Sequence, residues 1–323
     1  MLQSIALILL LAFCVDPTAG PVSEVEYKWS NVTSAANYPQ GYNYPVFVWG
    51  NKMVALNDGA WISNDGRSWK KAPLPHSGLN SAYLKYVHFN GSIYALGTMT
   101  GNYEKFTVSP RILRTRDLEK WEVVAESSNL PQRVFYGAAV FDGKMWMFGG
   151  FDGKKYLNDI WNSVDGVNWV RVAENTAWSP RTGPVVAVFN DEIWLLGGGT
   201  IDGAPRINPT SEREVWASGD GKTWRQVDAD LKRKWRGTPV VFDNKLWLVG
   251  ANRGGSFESA VWMTENGSNW KELSAPWSPR GAVAAWVFGD KLYMTGGKSS
   301  HVENGETKFA YNNDVWAMSR KRE

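Results

Sequence analysis

VFDGKMWMFGG, residues 140–150, holds two short apolar runs on either side of Asp142-Gly143. Asp-Gly readily takes the positive φ that a two-residue hairpin turn needs, and the alternating apolar residues around it read as strands. The stretch recurs as VFNDEIWLLGG (188–198), VFDNKLWLVGA (241–251) and VFGDKLYMTGG (287–297), each with a turn pair in the same place. Two weaker copies, VFVWGNKMVAL (46–56) and VHFNGSIYALG (87–97), come earlier. A pattern repeated at this spacing points to a repeat architecture.

A second hairpin follows five of the six copies: WISNDGRSW (61–69), LRTRDLEKW (113–121), WNSVDGVNW (161–169), WASGDGKTW (216–224) and WMTENGSNW (262–270). In each, Ser or Thr precedes Asp or Asn by two residues, and a Trp closes the turn and opens an outer strand. The short polar side chains can bond nearby backbone amides, which makes them turn formers. One unit is four antiparallel strands in about 40–50 residues, the size of a propeller blade. The sixth unit, around Trp316, has no outer strand. YKWSNV (27–32) carries Trp29 and Val32 at the outer-strand spacing, with no blade of its own. The expected fold is therefore all-β: a six-bladed propeller whose N-terminal strand completes the last blade. Closing the ring pairs edges that would otherwise be exposed.

The chain resembles the kelch-type β-propellers, a group that includes the central domain of galactose oxidase. The residues that carry the resemblance are the paired glycines 149–150, 197–198 and 296–297. With them go Asn158-Asp159-Ile160-Trp161 and Asn313-Asp314-Val315-Trp316 at the third strand, and Arg133, Arg181 and Arg280 ahead of the first. Blades 1 and 2 lack the double glycine, and blade 2 has Asp117-Leu118 where others have Asp-Gly or Asn-Gly. The resemblance implies a fold and leaves function open, because this fold hosts many activities.

Residues 1–20, MLQSIALILLLAFCVDPTAG, read as a secretory signal, with an apolar run from Ile5 to Phe13 too short to span a bilayer. Residues 21–323 are then one propeller domain, secreted or periplasmic, without a membrane span and expected to be a monomer. Cys14 is the only cysteine, so the mature domain is expected to have no disulfide, thiol nucleophile or thiolate metal site. Three N-x-S/T sequons begin at Asn31, Asn90 and Asn266. A net charge of +3 lacks the dense basic face of a nucleic-acid binder. The Lys232, Arg233, Lys234, Arg236 cluster reads as a solvated loop.

The connections between second and third strands are long and unequal: Thr98 to Pro110, Gly150 to Leu157, Gly199 to Arg213, Asn252 to Ser259 and Lys298 to Asn312. They share one face with the blade-to-blade connections, and unequal loops on a regular scaffold are where binding resides. Trp178-Ser-Pro-Arg181 and Trp277-Ser-Pro-Arg280 are near-copies, Arg236 is a looser variant, and Arg133 holds the same place in blade 3. Pointing inward, Arg133, Arg181, Arg236 and Arg280 suit a carboxylate or sugar acid, with Trp178 and Trp277 stacking on a sugar face. The other reading has each Arg bonding backbone carbonyls between neighbouring blades and each Trp packing a loop; recurrence across repeats favours it.

The Ser-x-Asp-Gly segments are similar to the Asp-boxes of sialidase propellers, with one residue fewer between Asp and Gly. Asp65, Asp165 and Asp220 are therefore expected to shape turns. A sialidase also needs a Tyr nucleophile and a carboxylate; Tyr311, Glu303 and Glu306 share one long loop. Copper oxidation is not expected, since His76, His88 and His301 show no ligand spacing and the galactose-oxidase type uses a Tyr–Cys crosslink. No cofactor, metal or Ser-His-Asp triad is indicated. Two readings lead, with a purely structural or matrix role as a third: a propeller binding a glycan or protein through its long-loop face, and a sugar isomerase resembling periplasmic kelch propellers that interconvert sialic acid anomers. In the second, Glu303 or Glu306 is the acid/base and Arg181 and Arg280 orient the sugar.

Overall fold

The computed structural model describes residues 25–72, 85–101, 106–199, 213–229, 237–253 and 256–321. The proposed signal segment therefore lies outside the described residues. Blade 1 is Val46–Trp49, Lys52–Leu56, Ala60–Ser63 and Lys70–Ala72; blade 2 is Tyr86–Phe89, Ser92–Gly101, Phe106–Thr115 and Trp121–Ala125. Blade 3 is Gly137–Phe141, Lys144–Phe151, Tyr156–Ser163 and Val170–Ala173; blade 4 is Val185–Phe189, Glu192–Leu196, Val215–Ser218 and Arg225–Val227. Blade 5 is Thr238–Phe242, Lys245–Arg253, Ser256–Thr264 and Trp270–Ser274. Blade 6 takes Ala284–Phe288, Lys291–Thr295 and Val315–Arg320 from the C-terminal end, and its outer strand, Tyr27–Thr33, from the other.

That outer strand is antiparallel to Val315–Arg320, with Tyr27 opposite Arg320, Trp29 opposite Met318 and Asn31 opposite Trp316. In blade 5, Trp270 lies opposite Thr264 and Glu272 opposite Trp262. Trp29 thus holds the register position of Trp270. The aromatic spacing that identified the strand also sets its pairing.

Among the described residues the apolar core falls into six clusters, one at each junction between blades. Met145 and Met147 meet Tyr94 and Ile112. Trp146 and Phe148 meet Ile193 and Leu195. Trp194 and Leu196 meet Leu246 and Leu248. Trp247 and Val249 meet Leu292 and Met294, Tyr293 and Trp286 meet Met53 and Ala55, and Val54 and Leu56 meet Ile93 and Leu113. Each sheet is apolar on both faces because each is covered on both, and the sixth junction closes the ring.

The second hairpin explains how neighbouring blades fit. In blade 3, Ser163 Oγ accepts from the Gly166 amide at 2.8 Å, and Asp165 accepts from the amides of Val167 and Asn168 at 2.8 Å. The Trp169 indole donates to the Gly166 carbonyl at 3.0 Å. The glycine has φ of +82°, and a Cβ there would come within 3.0 Å of the Tyr94 ring of blade 2. A Cβ on Gly221 would reach Trp146 at 2.5 Å, and one on Gly267 would reach Trp194 at 2.0 Å. Each turn glycine therefore seats a large ring from the preceding blade. Blade 2 reverses the sizes: Leu118, at φ of +69°, packs with the cluster holding Val54, which stands where other blades have the ring. The departure from Asp-Gly is a swap of bulk across one junction.

Several stretches expected as loops are β-ribbons. Ser92–Gly101 with Phe106–Thr115, and Lys245–Arg253 with Ser256–Thr264, extend second and third strands beyond their blades. Lys298–Glu303 and Glu306–Tyr311 form a separate two-stranded ribbon, turned at Asn304 (φ +52°) and Gly305 (φ +79°). Asn-Gly flanked by alternating residues is a strong hairpin signal, and it is present in HVENGETKF.

Candidate functional site

The long-loop face carries these ribbons and the blade-to-blade connections. Around its centre the connections join to each other: the Gly183 amide donates to the Phe135 carbonyl at 2.6 Å, and the Asn43 amide to the Ala282 carbonyl at 2.7 Å. Phe135, Asn43 and Ala282 all take φ near +55°, so this belt is built from left-handed backbone in non-glycine residues.

The candidate arginines lie beneath the belt, inside their own blades. Arg133 donates to the carbonyls of Pro131 (3.2 Å) and Gly149 (3.0 Å) and bidentately to Asp159 at 2.5 and 2.9 Å. Arg181 donates to Ser179 O (2.9 Å), Gly197 O (2.8 Å) and the Glu214 carboxylate. Arg280 donates to Ser278 O (3.2 Å), Ser278 Oγ (2.9 Å), Gly296 O (3.3 Å) and Asp314 at 2.5 Å. The acids in turn accept from indoles two residues on: Trp161 (2.7 Å), Trp216 (3.0 Å) and Trp316 (2.7 Å). Each unit fastens the first-strand entrance, the paired glycines and the third strand of one blade. The bonds are within blades, where the sequence suggested bonds between them. Arg133, Arg181 and Arg280 are at most 3% exposed. Desolvation lowers the Arg181 pKa, and Glu214 opposes it. Arg236 lies outside the described residues; its blade has Ala260 where the others have the acid.

Trp178 and Trp277 are buried too. The Arg181 guanidinium lies 5.7 Å from the Trp178 ring, and Trp277 packs edge-on against Trp29 at 4.6 Å. Neither presents a ring face to solvent. Glu303 and Glu306 lie opposite each other at the ribbon tip, exposed, with Glu306 bonded to Lys308 at 2.5 Å. Six residues of strand, about 20 Å, separate that tip from the base beside the Arg280 unit. The structure does not bring these carboxylates together with the buried arginines.

Asp65, Asp165 and Asp220 hold the turns on the other face, as their spacing predicts. Hydrogen bonds from backbone amides, led by Ser68 for Asp65 and Thr223 for Asp220, hold those carboxyls below the usual range. For Asp165 burial pushes upward, and the bonds from Asn168, Val167 and Ser163 outweigh it, leaving a pKa of about 2. His76 lies outside the described residues. His88 packs beside Phe47 and Trp49, and burial lowers its pKa. Among the described residues no three His, Cys, Asp or Glu side chains are grouped to hold a metal.

Two features escaped sequence reasoning. At the ribbon base, Tyr42 stacks on Tyr311 at 5.4 Å, and Lys298 Nζ lies 3.6 Å from the Phe309 centroid and 5.5 Å from that of Tyr42. Phe309 is 49% and Tyr311 38% exposed. Lys85 immediately precedes the innermost strand of blade 2 on the same face. It keeps solvent-accessible surface while surrounding protein desolvates its ammonium and lowers its pKa. The aromatic rings around Lys298 come from two separate segments, the strand holding Phe309 and Tyr311 and the stretch around Tyr42, which is why no local motif marks them.

The DUF6242 beta propeller domain matches residues 17–264, more than half of the chain. The chain belongs to the DUF6242 β-propeller family. The match ends within blade 5, so it includes the N-terminal outer strand of blade 6, while that blade's three C-terminal strands and the ribbon lie beyond it. Among solved structures, the one titled "Structure of YjhT" superposes with a TM-score of 0.63 over 86% of this chain and 99% of that one, at 13% identity. That likeness is one of fold, and it agrees with a kelch-like propeller. A curated relative, the leucine-zipper-like transcriptional regulator 1 homolog of Drosophila melanogaster, is 29% identical over 134 residues, covering 37% of this chain. The chain spans 13% of that relative's length.

Proposed function

We propose that this DUF6242 propeller is an exported binding protein that takes a glycan or protein ligand through its long-loop face. The observation that carries the reading is the patch at the ribbon base, where exposed Tyr311 and Phe309 lie beside half-buried Tyr42 and Lys298. Aromatic rings offer apolar area at low entropic cost, and a cation fixed among them can meet an acidic group. A solvated surface does not need three aromatic rings gathered from separate segments, and recognition does. The isomerase reading needs a carboxylate beside sugar-orienting cations. Here the ribbon carboxylates sit at its tip and Arg181 and Arg280 are engaged inside blades, so binding is the better supported reading.

The test is a glycan array and a secretome pull-down with residues 21–323, comparing wild type with Tyr311→Ala/Phe309→Ala. The ribbon is peripheral, so the variant is expected to keep its fold and lose its ligand at least tenfold. Ligands retained equally by the variant, or none found by either route, would overturn the reading. Anomer-exchange NMR on any sugar hit separates binding from isomerisation.

A further inference from the structure

The seam of the ring contains a cavity of about 680 Å³ on the face opposite the long loops. It is lined by Lys28, Phe242, Asp243, Asp290, Lys291, Ser319, Arg320 and Lys321. Its origin lies in the sixth blade's construction. In blades 1 to 5 a tight turn joins the third and outer strands and folds against the preceding blade. Blade 6 has no such turn, because its third strand ends at Arg320 and its outer strand starts at Tyr27. Those two residues reach across to blade 5 in place of a turn. Arg320 and the Tyr27 hydroxyl both bond the Asp243 carboxylate, and Tyr27 packs edge-on to Trp247 at 4.9 Å.

The missing turn also removes a countercharge. In blade 5, Lys245 pairs at 2.8 Å with Glu265, which belongs to that blade's turn. Lys291 is the same position in blade 6, as VFDNK and VFGDK show, and the acid has no equivalent there. Neither Lys291 nor Lys28 makes an ion pair among the described residues. Lys28 lies opposite Ser319 on the paired strand. Asp243 is engaged by Arg320, and Lys321 pairs with Glu26 at 2.5 Å. With Arg320 engaged by Asp243 and Lys321 by Glu26, the cavity wall holds two lysines, Lys28 and Lys291, against one remaining carboxylate, Asp290.

We propose that this seam cavity binds a tetrahedral oxyanion, a phosphate or sulfate group, held between Lys28 and Lys291 with Ser319 as a neutral donor. Such a group bridges the N-terminal strand, the C-terminal strand and the first hairpin of blade 6, so its binding is linked to ring closure. An anion that binds only the closed ring raises the melting temperature with the logarithm of its concentration above the dissociation constant.

Phosphate and sulfate stabilise many proteins by exclusion from their surfaces, so a variant must make the distinction. The test is thermal melting and calorimetric titration of the full chain with inorganic phosphate and with sulfate, against chloride at equal ionic strength. Wild type is compared with Lys28→Gln/Lys291→Gln, which leaves the Arg320–Asp243 and Lys321–Glu26 pairs intact, and with Lys120→Gln as an exposed control. The expected result in wild type and control is a saturable heat of binding and a melting temperature that rises with the logarithm of anion concentration, with at least a tenfold weaker dissociation constant in the double variant. The same response in all three proteins, or none beyond that of chloride, overturns the proposal. A sulfated disaccharide serves as a further probe. Tighter binding than sulfate, lost in the double variant, assigns the group to a glycan; equal binding assigns it to the free ion.

Discussion

Arg181→Met separates the structural use of the arginines from a binding one. The substitution keeps most of the aliphatic volume and removes the guanidinium. It leaves the Glu214 carboxylate, with 16% of its side chain exposed, without its cation, and the carbonyls of Ser179 and Gly197 without a donor. Breaking a buried pair from one side costs about 3–5 kcal/mol, because the partner stays desolvated. At roughly 2–4 °C per kcal/mol for a domain of a few hundred residues, the melting temperature should fall by about 6–20 °C. Replacing both partners, Arg181→Met/Glu214→Leu, removes the stranded charge. It should recover about half the loss, the remainder coming from the unpaired Trp216 indole and the two carbonyls. Urea denaturation of wild type, the two single variants and the double variant completes the cycle. The reasoning fails if Arg181→Met stays within about 1 kcal/mol of wild type, or if the double variant is less stable than the single.

Gly267→Ala places a Cβ 2.0 Å from the Trp194 ring in left-handed backbone, and should cost about 2–4 kcal/mol. With Trp194→Val present, mimicking the Val54–Leu118 junction, its added cost should fall to about 1 kcal/mol; equal costs in the two backgrounds would refute the size-matching account. Removing residues 21–33 deprives Val315–Arg320 of its partner and uncovers Trp277, so the truncated chain should aggregate or melt well below the full one. Unchanged melting would show that the ring closes without Tyr27–Thr33. The turn aspartates bind protons less readily folded than unfolded, so stability from them is present above the unfolded value of 3.8 and is lost as pH falls towards about 2. Replacing Asp165 and Asp220 with Asn should flatten stability against pH between about 4 and 2, measured by urea midpoints; an unaltered slope would place the acid sensitivity elsewhere.

Much of the molecule follows from local pattern. Turn pairs such as Asp142-Gly143 act within a few residues, and near-continuous apolar runs in the second strands, such as Met145–Phe148, record that both faces of each blade are covered. The outer-strand Trp spacing was enough to match Tyr27–Thr33 with a strand almost three hundred positions away. Asn304-Gly305 marked the exposed ribbon equally well, although a stretch rich in polar residues reads first as a loop. The arginines illustrate the opposite case. Arg133, Arg181 and Arg280 recur in the sequence, and so do Asp159, Glu214 and Asp314 two residues before a Trp. The intervals between them differ, 26, 33 and 34 residues, because the ribbons between second and third strands differ in length. Only the closed blade brings each pair together.

The sequence by itself determined the repeating unit, the number of blades and the strand that closes the ring, because hairpin turns and strand alternation depend on neighbours in the chain. Tertiary structure decided which charged groups are available. It buried three recurring arginines against acids and carbonyls, gathered Tyr42, Phe309, Tyr311 and Lys298 at one ribbon base, and left Lys28 and Lys291 without an ion pair among the described residues at the seam. Those outcomes depend on desolvation and on distances between residues far apart in the chain, which local sequence pattern does not encode.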